Sequence, residues 1–549
     1  MTAAKNKYEL NKVQSLSNNN KKLWDYIGSR VNNKPKKATK IRYIEINTKK
    51  ITTDIKNNYR PVTYDELERI IKKLKIKKGG VDNINSKVLK AISIYIIDAF
   101  FHIINLSIHL SIWPDALKMA DIIPIFKSGK KNLTTNYRPI SLISNIAKIY
   151  EKIIYNRLYD FLIDCKIISK KQYGFLRKIG TKDALNSIGD LLYNSLDKSK
   201  PAIITFLDLA KAFDTVNHDI LMMKLYCMGI RGKAYELLKS YLSNRKQAVK
   251  VNGYKSKYVT VNIGVPQGSI LGPLLFVLYI NDIIENMPKD SVICYADDTA
   301  VISIENTWLK AVTNMNLFLN KIADLLALNK LSLNKQKTVY MTFGNYADSV
   351  PIKTVVKIKN YELQRVEENK YLGIIFDYRL TWEKHIEYIR KKTKYLLFLF
   401  HKLKKMMNIY SMKLIYYAFF HSIISYGIIA WGGASNKNIG LLQARQDKIL
   451  KCVNKNYFSE NAPCNLRQLF SLESLNYYYN ELSEIFVNSK SITRHKSLKL
   501  PKTAQAVSNK LSYVEAIRIF NSLDNELKVL SQNKNKRKEI LKKWIQKNV

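Results

Sequence analysis

The chain has 549 residues, 46% of them hydrophobic, and carries 91 Lys and Arg against 44 Asp and Glu, a formal net charge of +47. That apolar fraction excludes a globally disordered chain and leaves material for about three or four domains. The charge excess points to a polyanionic partner, although Lys supplies most of it and an A+T-rich coding sequence accounts for a part.

Five scattered cysteines, Cys165, Cys227, Cys294, Cys452 and Cys464, show no paired or metal-ligand spacing, which argues against a disulfide framework and a zinc module. The N-terminus has no apolar signal core. The longest apolar run, ILGPLLFVLYI from Ile270 to Ile280, is short for a bilayer and contains Gly272 and Pro273. A soluble intracellular protein with no membrane association is expected.

Residues 1–62, rich in Lys and Asn, read as a basic, partly ordered arm. TYDELERIIKKL opens a helical extension over 63–115, with Thr63 and Glu66 in capping-box spacing. KGGVDNINSKVLKAI reads as a Gly turn and a second helix. ADIIPIFKSGKK reads as a strand ending in a basic turn, and ISLISNIAKIYEKIIYNRLYDFL as an amphipathic helix. AIITFLDL is predicted to be a buried strand and DTVNHDILMMKLYCMGI a helix. QAVKVNGYKSKYVTVNI is predicted to be a hairpin turning at Asn252-Gly253. An apolar helix then precedes SVICYADDTAVIS, a hairpin. Residues 378–460 read as basic, aromatic helices and 461–549 as a basic helical C-terminal extension.

The hairpin carries adjacent carboxylates, Asp297 and Asp298. Alone, an Asp pair is an ordinary turn signal. Two carboxylates also suit a hard cation such as Mg²⁺ if a third joins them. Asp208, at the end of the strand ITFLDL, is the candidate; alone it reads as a helix N-cap. Between the two acidic elements lies GVPQGSILGPLLFVLYINDI. Its small-residue loop lets backbone approach a ligand, and Gln267 adds an amide. Upstream, Lys127 and Arg138 in PIFKSGKKNLTTNYRPISL are candidate phosphate binders; downstream, NKQKT carries Lys337.

Taken in order, NYRPISLISNIAKIYEKII, QYGFLRKIGTKDAL, FLDLAKAFDTVNHDIL, GVPQGSILGPLLFVLYINDI, YADD, NKQKT and YLGIIFD resemble seven motifs of the reverse transcriptases of non-LTR (LINE-like, jockey-type) retrotransposons. The resemblance runs from Lys78 to Phe376 and more weakly to around residue 480. It implies an α+β right-hand polymerase, with fingers and palm over 116–377 and a helical thumb over 378–460. The palm would be an antiparallel sheet backed by helices. It also implies RNA-directed DNA synthesis from a primer 3′-OH on an RNA template, with two Mg²⁺ ions (or Mn²⁺) and dNTPs. By the same resemblance Asp208, Asp297, Asp298 and the Leu209 carbonyl contact metal, and Lys337 is a proton donor to pyrophosphate. Lys127, Arg138, Phe213, Gln267 and Gly268 meet the incoming nucleotide, Phe213 excluding a 2′-hydroxyl. Tyr295, Tyr371, Leu372 and Gly373 meet primer or template.

The sequence departs from the family at Leu176, where Arg is common, and at Gly180, where Ser is common. No endonuclease, RNase H or Cys/His knuckle pattern is visible, so a separate endonuclease is an expected partner. Target-site priming would favour the nucleus. Two rival readings are an RNA-dependent RNA polymerase, against which Phe213 argues, and a non-catalytic nucleic-acid-binding remnant.

Overall fold

The computed structural model describes residues 60–76, 79–344, 355–453, 462–488, 498, 511–530 and 533–549. The basic arm expected over 1–62 lies outside them except for its last three residues. Helix α1 (Tyr64–Lys72) begins as expected, with Thr63 Oγ1 accepting the Glu66 N–H at 3.2 Å. The Glu66 carboxylate leaves the cap and pairs with Arg157 at 3.3 Å, tying α1 to a later helix. Helices α2 (Ser86–Ala91) and α3 (Ser93–Leu110) follow. By length and composition α3 could cross a membrane. It packs on α1, and Asn105 on it hydrogen-bonds both backbone groups of Val62.

One mixed sheet is built on β1 (Met119–Phe126) and β2 (Tyr137–Ile143), an antiparallel pair. Here ISLI completes β2 rather than opening a helix. Its side chains alternate between half-buried and buried against β1, and Ser144 caps α4 (Asn145–Asp164) through the Ile146 N–H. Helix α5 (Thr181–Asp197) leads to β3 (Ala202–Leu207), every residue of which is buried, consistent with a run that is apolar except for Thr205. The chain after Asp208 runs through turns. Helix α6 (His218–Cys227) starts later than the sequence suggested, capped by Asn217, so Asp208 is no N-cap.

Helix α7 (Gly232–Leu242) precedes β4 (Arg245–Val251), β5 (Tyr254–Lys255) and β6 (Val259–Val261). Strands β4 and β5 turn at Asn252-Gly253, both at positive φ (49° and 87°), the geometry that selects this dipeptide. Strand β4 joins β1 in parallel and β6 antiparallel. Helix α8 (Leu271–Glu285), mostly buried, packs on α4 and α6.

The central sheet is ordered β12-β9-β3-β8-β7. Its members are β7 (Val292–Tyr295), β8 (Asp298–Ile304), β9 (Val339–Phe343) and, after a small hairpin β10 (Lys357–Ile358) and β11 (Tyr361–Glu362), β12 (Gln364–Arg365). All its pairs are antiparallel except the two-residue β12–β9 edge. Helix α9 (Trp308–Leu328) packs across β3 and β8, and α5 against β7.

A second hairpin, β13 (Glu368–Tyr371) and β14 (Ile374–Asp377), leads into helices. These are α10 (Glu383–Leu403), α11 (Ile409–Ile415), a π-helical turn at Tyr416–His421, α12 (Ser422–Ser425), α13 (Ile428–Trp431) and α14 (Asn436–Val453). Asp377 holds the entry to α10, accepting from the N–H groups of Thr381 and Trp382. Trp382, fully buried, donates its indole N–H to Tyr193 on α5 at 2.8 Å. The C-terminal helices α15 (Leu466–Asn488), α16 (Ser512–Ser522), α17 (Asn525–Lys528) and α18 (Lys534–Asn548) share one apolar core with α5 and the central sheet.

Asp190 on α5 sits at that junction. It accepts from Tyr478 Oη at 3.2 Å and Asn186 Nδ2 at 3.1 Å. Burial, with Glu481 nearby, raises its pKa to about 6 despite the Tyr478 hydrogen bond. The folded state therefore holds a proton that the unfolded chain releases, so this stabilisation is present at low pH and lost as pH rises through about 6. Asp190→Asn is expected to stabilise the protein by roughly 1–2 kcal/mol at pH 7 and by nothing near pH 4, read from denaturant unfolding at the two pH values.

Candidate active site

Strand register brings the three acidic residues together. Leu207 on β3 lies opposite Thr299 on β8, so the next position outward places Asp208 level with Asp298. Strands β7 and β8 close on the pair Tyr295–Asp298, leaving a two-residue turn. That turn is Ala296-Asp297, not the Asp pair that the sequence suggested; Asp298 is the first residue of β8. Ala296 lies at φ 58°, a conformation that costs a residue with a Cβ about 1–2 kcal/mol.

The turn is held from outside by QYGF, which the sequence offered only as a motif. Gln172, 1% exposed, accepts the Ala296 N–H at 3.0 Å and the Gly174 N–H at 2.7 Å on one Oε1. Its amide donates to Cys294 Sγ, and the backbone at 171–173 exchanges hydrogen bonds with Cys294. A Cβ on Gly174 would stand 2.3 Å from the Ala296 nitrogen, so only glycine fits. Gln172 and Gly174 are thus site residues that sequence reasoning missed.

The carboxylates pay electrostatically for this proximity. Burial raises the pKa of Asp297, with Asp208 adding to it and Arg138 and Lys127 opposing. Asp298 keeps solvent contact, yet the surrounding protein and then the Asp297 and Asp208 charges push it up to about 6. Lys127 and Arg138 approach from the β1–β2 hairpin, where both are exposed and Lys127 N donates to Asn136 O at 2.9 Å. Among the described residues, no three His, Cys, Asp or Glu side chains enclose a metal position. The carboxylates form an open shell of hard oxygen donors with excess negative charge. That fits Mg²⁺, which keeps several waters and takes phosphate oxygens.

The segment after α9 flanks Asp208: Asp208 O accepts from Asn334 N and Ala210 N donates to Ser332 O, both at 2.8 Å. This bridge does not use the Leu209 carbonyl. Lys337 is exposed beyond it; Lys127 and Arg138 are the cations whose charge opposes the upward shifts of Asp297 and Asp298. Phe213, half-buried, stacks on Phe276 of α8 at 4.5 Å and meets Phe175 edge-on at 5.9 Å. Gln267 donates its amide to Asp214 at 2.9 Å, and its carbonyl accepts the Ser141 N–H at 2.8 Å. Gly268, at φ 137°, passes so close to Ser141 that a Cβ would lie 2.5 Å from its carbonyl.

The β13–β14 turn joins the same site. Leu372 and Gly373 are both at positive φ (45° and 84°). Tyr371 Oη donates to Asp298 O at 3.1 Å, and Tyr426 Oη donates to Leu372 O at 2.7 Å. Tyr295 is half-buried at the end of β7. Away from these elements, a cleft of about 1020 Å³ runs between α1 and α4. Arg60, Arg69, Lys73, Lys148, Lys152 and Arg177 line it, with Glu66 and Asp160 as its acids, and it reaches Gly268–Ile270. The sequence pattern of the helical extension did not reveal it, because its walls come from segments far apart in the chain.

Residues 127–376, which hold Asp208, Asp297, Asp298 and both turns, match the family described as reverse transcriptase (RNA-dependent DNA polymerase). This segment is a reverse transcriptase domain. The chain is 30% identical over 407 residues to the probable RNA-directed DNA polymerase from transposon BS of Drosophila melanogaster, covering 72% of this chain and 45% of that protein. It is also 30% identical to the RNA-directed DNA polymerase from mobile element jockey of the same species, over 71% of this chain and 44% of that one. The resemblance to non-LTR retrotransposon enzymes thus holds, and the chain spans less than half the length of these relatives. A solved apo telomerase from Candida tropicalis aligns with 49% of this chain and 55% of that one, at 14% identity and a TM-score of 0.34.

Gly174→Ala tests the support of the reverse transcriptase domain's acidic turn. It is expected to lower any polymerase activity about 100-fold by displacing the turn, while duplex binding measured by fluorescence anisotropy stays unchanged.

Proposed function

We propose that this chain is an RNA-directed DNA polymerase that extends a primer 3′-OH on an RNA template. The observation that carries it is the meeting of Asp208 with Asp297 and Asp298 of the β7–β8 hairpin inside the matched domain. In this reading the central sheet is the palm, the β1–β2 sheet with α4 belongs to the fingers, and α10–α14 form the thumb. Asp208, Asp297, Asp298 and the Leu209 carbonyl are the groups that would hold two divalent ions. When bound, Mg²⁺ or Mn²⁺ would supply charge stabilisation of the attacking and leaving oxygens of an in-line displacement.

The chain's own groups do the rest. Lys127 and Arg138 hold the triphosphate, and their charge is already felt at Asp297 and Asp298. Gln267 and Gly268 form the surface on which the nucleotide rests. Phe213 stands where a ribose 2′-hydroxyl would need space, its ring backed by Phe276. Leu372 and Gly373 carry the primer end, and Tyr371 couples that turn to Asp298. Lys337, exposed beyond Asp208, is the proton donor to pyrophosphate in this reading. The cleft walled by Arg69 and Lys148 suits the phosphates of the incoming template, with a strong salt dependence. Target-site priming in the nucleus would also require an endonuclease activity.

Primer extension on an RNA template with dNTPs and Mg²⁺ tests the proposal. Extension that Asp297→Asn lowers by at least about 1000-fold is expected. A folded chain that binds duplex without extending it would favour the non-catalytic remnant. In the same assay Phe213→Ala is expected to reduce the preference for dNTPs over NTPs at least about tenfold, since the bulk that excludes the hydroxyl is gone. An unchanged preference would remove Phe213 from that role.

A further inference from the structure

Glu151 on α4 is fully buried and lies outside the acidic site. Its carboxylate accepts the Tyr241 Oη hydrogen at 2.9 Å and the Ile270 N–H at 2.5 Å, with the Leu271 N–H also directed to it. Ile270 opens α8, and it offers no side-chain cap of its own. A helix start leaves backbone N–H groups unpaired and carries partial positive charge, which a carboxylate neutralises. Glu151 supplies that cap from a different helix, 119 residues away in sequence.

The loop that precedes this cap is Gly264–Ser269. Its first part is fixed to the segment after Asp208, through Gly264 N to Val216 O and Val265 N to Phe213 O. Its middle is fixed by Ser141 N to Gln267 O and by the Gln267 amide to Asp214. Glu151 fixes its end. Tyr241 is wedged beside Trp113, and Arg245 lies over the Tyr241 ring at 4.7 Å, so the carboxylate has little room to move.

We infer that Glu151 is a positioning residue for the incoming nucleotide, setting the backbone of Gln267 and Gly268 through the Ile270 N–H. The inference rests on the polymerase reading above. Glu151→Gln keeps size and one acceptor oxygen but replaces the other with an amide nitrogen, which cannot accept from Tyr241 Oη or the Ile270 N–H. It is expected to raise the KM for dNTP about fivefold while kcat changes less than twofold, and to accelerate hydrogen exchange at the Ile270 and Leu271 amides by a similar factor. Tyr241→Phe, which removes only the second donor, should give a smaller rise in KM. A purely structural role would lower the active fraction, and so kcat, with KM unchanged; that result in an extending enzyme overturns the inference alone. A wild-type chain that does not extend overturns the polymerase reading and this role with it, whereas the exchange measurement still decides whether the tether exists.

Discussion

Like charges on one tight turn are the constraint around which this site is organised. Asp297 and Asp298 stand side by side on a hairpin, with Asp208 across the strand pair, and the protein surrounding them makes ionisation harder. The turn also needs Ala296 in a left-handed conformation. Neither feature would survive on a free hairpin. Gln172 and Gly174 supply the opposing force: one buried amide satisfies the Ala296 N–H, and a residue without Cβ lets two backbones touch. The strain and the repulsion are retained where a divalent cation would relieve them.

The same turn is coupled outward. Tyr371 reaches from the β13–β14 hairpin to Asp298 O, and Tyr426 reaches from the helical region to Leu372 O. A displacement of the helices after β14 would therefore act on the β13–β14 turn and, through it, on the acidic residues. Trp382 on Tyr193 and the Asn186–Tyr478 and Ser512–Asn186 hydrogen bonds tie those helices back to α5. In the proposed assignment, thumb, palm and C-terminal extension share a core, so primer position and acid position are set by one packed body.

Much of this was legible in the sequence. The buried run AIITFL, the Asn-Gly turn and the apolar-flanked YADD fixed the two hairpins and the strand ending at Asp208, because period and turn chemistry are local. Helix boundaries were less legible: ISLI has a β-branched Ile at each end and pairs with β1, and the chain after Asp208 turns before α6 begins. What could not be read were contacts between distant segments. Gln172 on Ala296, Glu151 on Ile270 and the basic cleft between α1 and α4 each join parts of the chain with no common period. Gln172 left one signal, its place two residues before Gly174 in a matched motif, but the motif gave no role.

In the proposed reading the carboxylate repulsion is held in place for a divalent cation. Thermal unfolding of the wild-type chain and of Asp297→Asn, with and without Mg²⁺, tests it without reference to polymerisation. Without cation the variant should unfold at the higher temperature, because one of the repelling charges is gone. Added Mg²⁺ should raise the wild-type Tm and leave the variant nearly unchanged. A wild-type Tm indifferent to Mg²⁺ and Mn²⁺, together with a variant no more stable than the wild type, would contradict the account.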